Sequence, residues 1–168
     1  MFSFDRQITR TLHEEHLATI STLERLEVIF RKYGPKKAPP DDNAEITELL
    51  GDIINLVACD VTNHFSFEEE KLFPLLGAMG DSPISSILTG EHRVILPLGN
   101  LLSELAKMAR SDGFNDASWG QFRERGVELI ERMISHIQKE EMALLPMLED
   151  ILEEDTDAQL MMTYSEMR

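Results

Sequence analysis

The sequence predicts an all-α protein, an up-down-up-down four-helix bundle followed by a short C-terminal tail or helix. No segment shows a sustained alternation of apolar and polar residues, so no β-sheet is expected. Proline and glycine divide the chain into four long segments, and each segment carries an apolar stripe at helical spacing. In an up-down arrangement, four such stripes would face one another around a single axis.

The helix-breaking residues set the expected boundaries of the helices, which are about residues 4–33, 44–76, 84–110 and 116–154. Asp42 and Asn43 offer an N-cap for the second helix. The segment 77–83 is expected to be a loop. Pro74 and Pro146 lie where they should kink or close their helices, and Pro97 should bend the third helix.

Length and charge limit the possible classes of protein. The 168 residues are expected to form one domain, 1–168, with the bundle at about 4–154 and a tail at 155–168 that either closes one end of the bundle or binds a partner. A net charge of −15 argues against nucleic acid and against anionic membranes as partners, because an acidic surface repels phosphate.

The expected location is the cytoplasm. No apolar run is long enough to span a bilayer, and the N-terminal residues lack the apolar core of a secretory signal. The single cysteine, Cys59, can form no internal disulfide, as is typical of a reducing compartment. Since Cys59 lies in an apolar run, it is predicted to be a buried thiol.

One sequence pattern occurs twice. The pattern H-x3-E-E-x2-L-x-P-x-L begins at His64 and again at His136, and a Glu-His pair precedes each copy, at Glu15-His16 and at Glu91-His92. The chain therefore has the pattern of a duplicated helical hairpin. Each half supplies one histidine, and then a histidine and a glutamate four residues apart.

Six polar residues occupy stripe positions where a core aliphatic is expected: His16, His64, Glu68, His92, His136 and Glu140. A buried carboxylate is costly unless it is neutralised, and the stripes contain no Lys or Arg. Metal cations solve this problem because they bind neutral imidazole and charged carboxylate together. The His-x3-Glu spacing puts both side chains on one helix face, so a pair can ligate one metal or let its Glu bridge two. Iron, zinc and manganese all accept such ligands.

The order H…HxxxE…H…HxxxE resembles the hemerythrin-like family, the bacterial HHE cation-binding domains, over about residues 5–152. The resemblance implies an up-down bundle around a non-haem di-iron centre, with two iron ions joined by oxo or hydroxo and carboxylate bridges. It assigns the role of terminal ligand to His16, His64, His92 and His136. It assigns the role of bridging carboxylate to Glu68 and Glu140. The choice of iron over zinc or manganese rests on this resemblance.

The chain departs from oxygen-carrying hemerythrins at one position. Those proteins have a further histidine one turn after the ligand of the third helix, and this chain has Leu96 there, followed by Pro97. One iron would therefore have fewer protein ligands and more open coordination positions. Open positions suit nitric oxide, peroxide or water as well as oxygen.

The charged neighbours of the six residues receive other interpretations. His13 lies about 80° from the centre of its helix stripe and is interpreted as a residue beside the site. Glu69 and Glu141 lie about 100° off the stripe, so a solvated face is expected for them. Glu15 and Glu91 have two open roles: each can accept a hydrogen bond from a ligand histidine, and Glu91 can alternatively bind the metal itself.

The resulting hypothesis is a bacterial, cytoplasmic di-iron protein that binds a small diatomic ligand, oxygen or nitric oxide, for sensing, buffering or stress response. A metal- and gas-binding protein is favoured over a turnover enzyme. The alternatives are an iron donor or iron–sulfur cluster repair factor, a peroxide-reducing di-iron enzyme, and a purely structural helical module. The sequence names no redox partner and no oligomeric state.

Overall fold

The computed structural model describes residues 4–40, 43–78, 80 and 83–167, and within them it contains helices and no β-strand. Five helices follow one another along this part of the chain: α1 at Gln7–Lys32, α2 at 44–78, α3 at Pro83–Asp112, α4 at 116–151 and α5 at Glu154–Met167. The prediction of an all-α helical bundle is confirmed for these residues. The up-down order of four helices stays a prediction.

Helices α2 and α4 contain turns of π-helix. The α-helical parts of α2 are Ala44–Asn55, Thr62–Phe67 and Phe73–Ala78, and its π-helical parts are Leu56–Val61 and Glu68–Leu72. Helix α4 consists of Asp116–Lys139, the π-helical Glu140–Leu144, and Leu145–Ile151. Two of the three π segments therefore begin at the glutamate of the repeated motif.

The repeated prolines explain the position of these two π turns. Pro74 and Pro146 have no N–H, and each would clash with the carbonyl four residues earlier in a regular α-helix. Just before each proline the helix widens, so that the N–H of Phe73 bonds to the carbonyl of Glu68, and that of Leu145 to the carbonyl of Glu140. Both helices continue past their prolines. Of the two expected outcomes, a kink or the end of the helix, the second therefore does not occur.

The N-cap of α2 agrees with the expected punctuation, whereas the loop after α2 is shorter than the expected 77–83, because Gly77, Ala78 and Pro83 are helical. The side chain of Asn43 accepts a hydrogen bond from the N–H of Ile46 and so caps α2, while Asp42 lies outside the described residues. In the expected loop at 77–83, the first two residues are still helical and Gly80 has a φ of 144°. Residues 79, 81 and 82 of that loop also lie outside the described residues.

The hydrophobic core consists of two clusters, and every long helix passes from one to the other at a polar stripe residue. On α1, Leu12 belongs to one cluster and Leu23 to the other, with His16 between them. On α3, Leu88 and Ile95 stand on either side of His92 in the same way. The layer formed by the polar stripe residues therefore lies between the two hydrophobic clusters.

The predicted tail is a helix packed on the bundle. Helix α5 contacts α1 and buries Leu160 and Tyr164. The N-cap residue of α1, Arg6, makes no side-chain cap, and the carboxylate of Asp157 on α5 accepts hydrogen bonds instead from the backbone N–H groups of Gln7 and Ile8, at 2.8 and 2.9 Å. A remote carboxylate thus caps the first helix.

Cys59 is exposed, so the prediction of a buried thiol is wrong. The buried side chains of this apolar run include Val57 and Val61. Cys59 comes two residues after the first and two before the second, which puts it about half a helical turn from both, on the outer side of α2. Among the described residues, no helix is long and apolar enough to cross a membrane.

Candidate metal centre

All six polar stripe residues are buried and lie together in the layer between the two hydrophobic clusters. Their ligand-capable atoms form two groups, each within 4.8 Å: Glu68, His92, His136 and Glu140 in one, and His16, His64 and Glu140 in the other. The structure therefore brings every predicted site residue into one place. Either group can hold a metal ion, while the role of each residue as a ligand stays a prediction.

The two histidine pairs come from the two halves of the duplicated sequence. His16 and His64, from α1 and α2, have ring centroids 5.1 Å apart, and their Nε2 atoms are separated by 3.4 Å. His92 and His136, from α3 and α4, have ring centroids 4.9 Å apart. Each half-sequence thus builds one pair of imidazoles.

The two glutamates connect these pairs. Oε1 of Glu68 lies 3.3 Å from Nε2 of His64, and its Oε2 lies 3.3 Å from Nε2 of His92. Oε1 of Glu140 lies 2.6 Å from Nε2 of His136, and its Oε2 lies 2.7 Å from Nε2 of His16. Each carboxylate therefore faces one histidine of each pair with a different oxygen, which is how a carboxylate bridges two cations.

The unsatisfied polar atoms of this layer test whether a metal fits. Both carboxylate oxygens of Glu68 and Nε2 of His92 are buried without a hydrogen-bond partner, while Oε1 of Glu140 and Nε2 of His136 contact each other at 2.6 Å and have no other partner. Each buried atom without a partner costs on the order of 1–3 kcal/mol, and more where it is charged. Lone pairs that converge without donors are what a cation satisfies, and the mixed nitrogen and oxygen donors suit a first-row transition metal. The residues fit such a group.

Each of the four histidines also faces a carboxylate outside the six. The Nδ1···O distances are 2.6 Å for His16 and Glu141, 3.1 Å for His64 and Glu15, 2.7 Å for His92 and Glu69, and 2.9 Å for His136 and Glu91. A carboxylate at Nδ1 keeps the proton on that nitrogen and fixes the ring. The Nε2 lone pair of every histidine is then left for the cluster.

These contacts correct one expectation from the sequence. Glu141 was expected on a solvated face and is instead only 23% exposed and hydrogen-bonded to His16, whereas Glu69 is 42% exposed, as expected, and also hydrogen-bonds to His92. A rotation of about 100° from the stripe carries both side chains to the boundary with the neighbouring helix, where Glu69 stays accessible to solvent and Glu141 is mostly covered. The available signal was the Glu-Glu doublet, which occurs in both copies of the motif.

Glu15 and Glu91 both make the hydrogen bond to a histidine that was one of their expected roles, while direct binding of a metal by Glu91 stays a prediction. Glu15 faces His64, while Glu91 faces His136 with one oxygen and Nζ of Lys139 at 2.7 Å with the other. Glu91 belongs to neither group of potential ligands in the described structure.

His13 lies beside the site, in accordance with the sequence interpretation. Its Nδ1 lies 2.9 Å from Oε2 of Glu141, the carboxylate that faces His16. Like Glu91, His13 is absent from both groups of potential ligands in the described part of the chain.

The electrostatics of the metal-free site couple the histidines to the glutamates. Burial would lower the pKa of His16 and His136, but the carboxylate of Glu140 beside both of them raises it above the usual 6.5. Burial would raise the pKa of Glu140, but these two imidazoles hold it well below its usual range. Imidazolium protons thus balance the carboxylates, and a metal ion would take over that role by displacing them.

A small cavity of about 20 Å³ lies beside the pair His16 and His64. Its lining includes these two histidines, Glu140 and also His136 of the second pair, whereas Glu68 and His92 do not line it. The remaining walls are mostly apolar: Val61, Phe65, Met133 and Ile137. A volume of this size admits one water molecule or one diatomic molecule.

His92 of the other pair is covered by an aromatic ring. Phe65 stacks on His92 with ring centroids 3.8 Å apart and an angle of 10° between the planes. Leu96, at the position where oxygen carriers have a further histidine, packs against the hydrophobic core. The cavity therefore adjoins both histidines of the first pair and His136 of the second, while His92 does not line it.

Comparison with known proteins agrees with this geometry. The model of the hemerythrin HHE cation-binding domain family matches residues 7–148, a range that contains all six polar stripe residues. The resemblance drawn from the sequence is thereby confirmed. A comparison with curated proteins found no match.

Proposed function

We propose, because this chain belongs to the hemerythrin HHE cation-binding domain family, that it is a non-haem di-iron protein that binds a small diatomic ligand, oxygen or nitric oxide. The observation that carries the proposal is the placement of Glu68 and Glu140. Each presents its two oxygens to histidines of different pairs, and both buried oxygens of Glu68 lack a hydrogen-bond donor.

In this proposal His16 and His64 would hold one iron, and His92 and His136 would hold the other. Glu68 and Glu140 would supply carboxylate ligands to both. Four protein ligands leave positions open on a metal that accepts six. Bound iron would supply the coordination site for the small ligand and the electrons that such binding requires, and zinc or manganese would fit the same donors without equivalent redox chemistry.

The protein's own residues favour a diatomic ligand at the first pair. The cavity beside His16 and His64 matches such a molecule in size, and its walls of Val61, Met133 and Ile137 exclude further water. Phe65 covers His92 and leaves no comparable space there. The ligand would therefore bind in this cavity, which adjoins both histidines of the first pair and only His136 of the second.

The proposal includes a single up-down bundle in a reducing cytoplasm. Contacts between α1 and α2, α2 and α3, α3 and α4, and α4 and α1 support a bundle in which sequential helices are neighbours. The single cysteine, exposed and unable to form an internal disulfide, is compatible with a reducing compartment.

Metal analysis of protein purified without chelators tests the proposal, together with visible spectra before and after anaerobic reduction and addition of nitric oxide. We expect two irons per chain and an oxo-bridge absorption that changes when nitric oxide binds. Zinc alone, or a stably folded protein without metal, would contradict both the iron site and gas binding. Iron that passes readily to a mild chelator would favour an iron donor, and steady turnover of peroxide with an electron donor would favour an enzyme.

A further inference from the structure

The two histidine pairs are alike in sequence but differ in how their supporting carboxylates are buried. Behind the first pair, the side chains of Glu15 and Glu141 are 10% and 23% exposed. Behind the second pair, those of Glu69 and Glu91 are 42% and 28% exposed. Water therefore competes for the hydrogen bond to Nδ1 more strongly at the second pair than at the first.

Helix α5 adds a contact that only the first pair receives. The hydroxyl of the buried Tyr164 donates a hydrogen bond to Oε2 of Glu15, the same oxygen that faces Nδ1 of His64. The ring of Tyr164 packs on Phe67, with centroids 4.5 Å apart. Among the described residues, Glu69 has His92 as its one hydrogen-bonding partner.

The position of Tyr164 is fixed from a second point on α5. Asp157 lies two helical turns earlier, on the same face, and its carboxylate binds the first backbone N–H groups of α1. Helix α1 carries Glu15 and His16. The two ends of α5 thus hold the same helix, one at its N-terminus and the other at the carboxylate that supports the site.

We propose that α5 is a clasp for one of the two metals, in which Tyr164 is a positioning residue that holds Glu15 against His64. A fixed carboxylate keeps the imidazole oriented towards the metal, whereas a mobile or hydrated one lets the ring turn away. The metal at His16 and His64 is therefore released more slowly than the metal at His92 and His136. This inference rests on the proposed function, since it requires two metals in one site.

The test compares the release of Co²⁺ to an excess of chelator from the full-length protein and from Tyr164→Phe, which keeps the ring and removes the hydroxyl. We expect two phases in the wild type. In Tyr164→Phe the slow phase should accelerate by about ten- to a hundredfold, as is typical for loss of a group that supports a metal ligand, while the fast phase stays unchanged. The visible spectrum of the slowly released Co²⁺ should shift as well, which a merely structural role would not cause.

The matched control is Tyr33→Phe, because the hydroxyl of Tyr33 contacts Asn43 in the segment before α2, outside the site. It should release Co²⁺ as the wild type does. His16→Ala should remove the slow phase and His92→Ala the fast one, which assigns each phase to its pair. If Tyr164→Phe does not fold, Glu15→Gln must accelerate the slow phase alone.

Two results would overturn the clasp: equal acceleration of both phases, or no change in the slow phase. A wild-type protein that binds no metal would instead contradict the proposed function. Urea unfolding of the metal-free variants separates a change in metal retention from a general loss of stability.

Discussion

Oε2 of Glu15 on α1 lies 3.1 Å from Nδ1 of His64 on α2, and this contact is one link of a closed ring. The ring continues from α2 to α3, from α3 to α4 and from α4 back to α1 through the pairs Glu69 and His92, Glu91 and His136, and Glu141 and His16. Each helix therefore gives a carboxylate to the histidine of the next helix. Each of these four glutamates is the immediate sequence neighbour of one of the six polar stripe residues.

Substitution of the carboxylate shared by both groups should remove metal, whereas substitution of the outlying histidine should not. Glu140 belongs to both groups of potential ligands, so Glu140→Ala should lower the metal content of the purified protein strongly, and His64→Ala should do the same. His13→Ala should leave the content nearly unchanged, because His13 contacts only the supporting Glu141 at this site. An equal loss in all three variants would mean that the ligand assignment is wrong.

The six polar residues were predictable because each one interrupts an apolar stripe, a contradiction that is visible within a single helix. The supporting carboxylates Glu69 and Glu141 were not, because their position relative to their own stripe does not reveal the histidine offered by the neighbouring helix. The cap of α1 was equally hidden, since its acceptor, Asp157, is about 150 residues distant in the chain. Contacts within one helix follow from helical periodicity, and contacts between helices require the packing.

The metal-free protein should lose stability as the pH rises. The pKa values of His16, His64 and His136 are raised in the folded state because carboxylates oppose the effect of burial. Groups of this kind stabilise the fold fully below their unfolded pKa of about 6.5, and that contribution is lost as the pH rises through the folded values. The urea midpoint should therefore be lower at about pH 8.5 than at about pH 6, with both measured in about 0.5 M salt to screen the net negative charge.

The carboxylates should make the metal-free protein lose stability at acidic pH as well. The pKa of Glu140 is held well below its usual 4.5, and that of Glu141 is lowered too, because their histidine partners oppose the effect of burial. Their contribution is present above about pH 4.5 and is lost as the pH falls through the folded values. The metal-free protein should thus be most stable between about pH 4.5 and 6.5. A urea midpoint that is independent of pH or rises towards pH 8.5 would contradict the coupling of these residues.

Removal of the remote cap should destabilise the protein. Asp157→Ala leaves the first N–H groups of α1 without an acceptor, which typically costs about 1–2 kcal/mol in the free energy of unfolding. Urea denaturation measures this loss. Asp150→Ala is the matched control, because Asp150 is an exposed carboxylate near the same end of the bundle, and its substitution should change the stability by less than about 0.5 kcal/mol. Equal effects of the two substitutions would argue against the cap.

Gly126→Ala on α4 should be destabilising, although alanine is the better helix former, because α1 and α4 pack closely together at this residue. A Cβ at residue 126 would lie 2.5 Å from Cζ of Phe30, and the ring of Phe30 cannot yield freely because it packs edge-on against Trp119 and Phe122. Overpacking of this kind costs about 1–3 kcal/mol in the free energy of unfolding. Gly90→Ala on α3 is the control, since nothing lies within 4 Å of its Cβ position and a gain of up to about 1 kcal/mol is expected. If urea denaturation finds both variants stabilised, α1 and α4 are less tightly packed at this point than the structure describes.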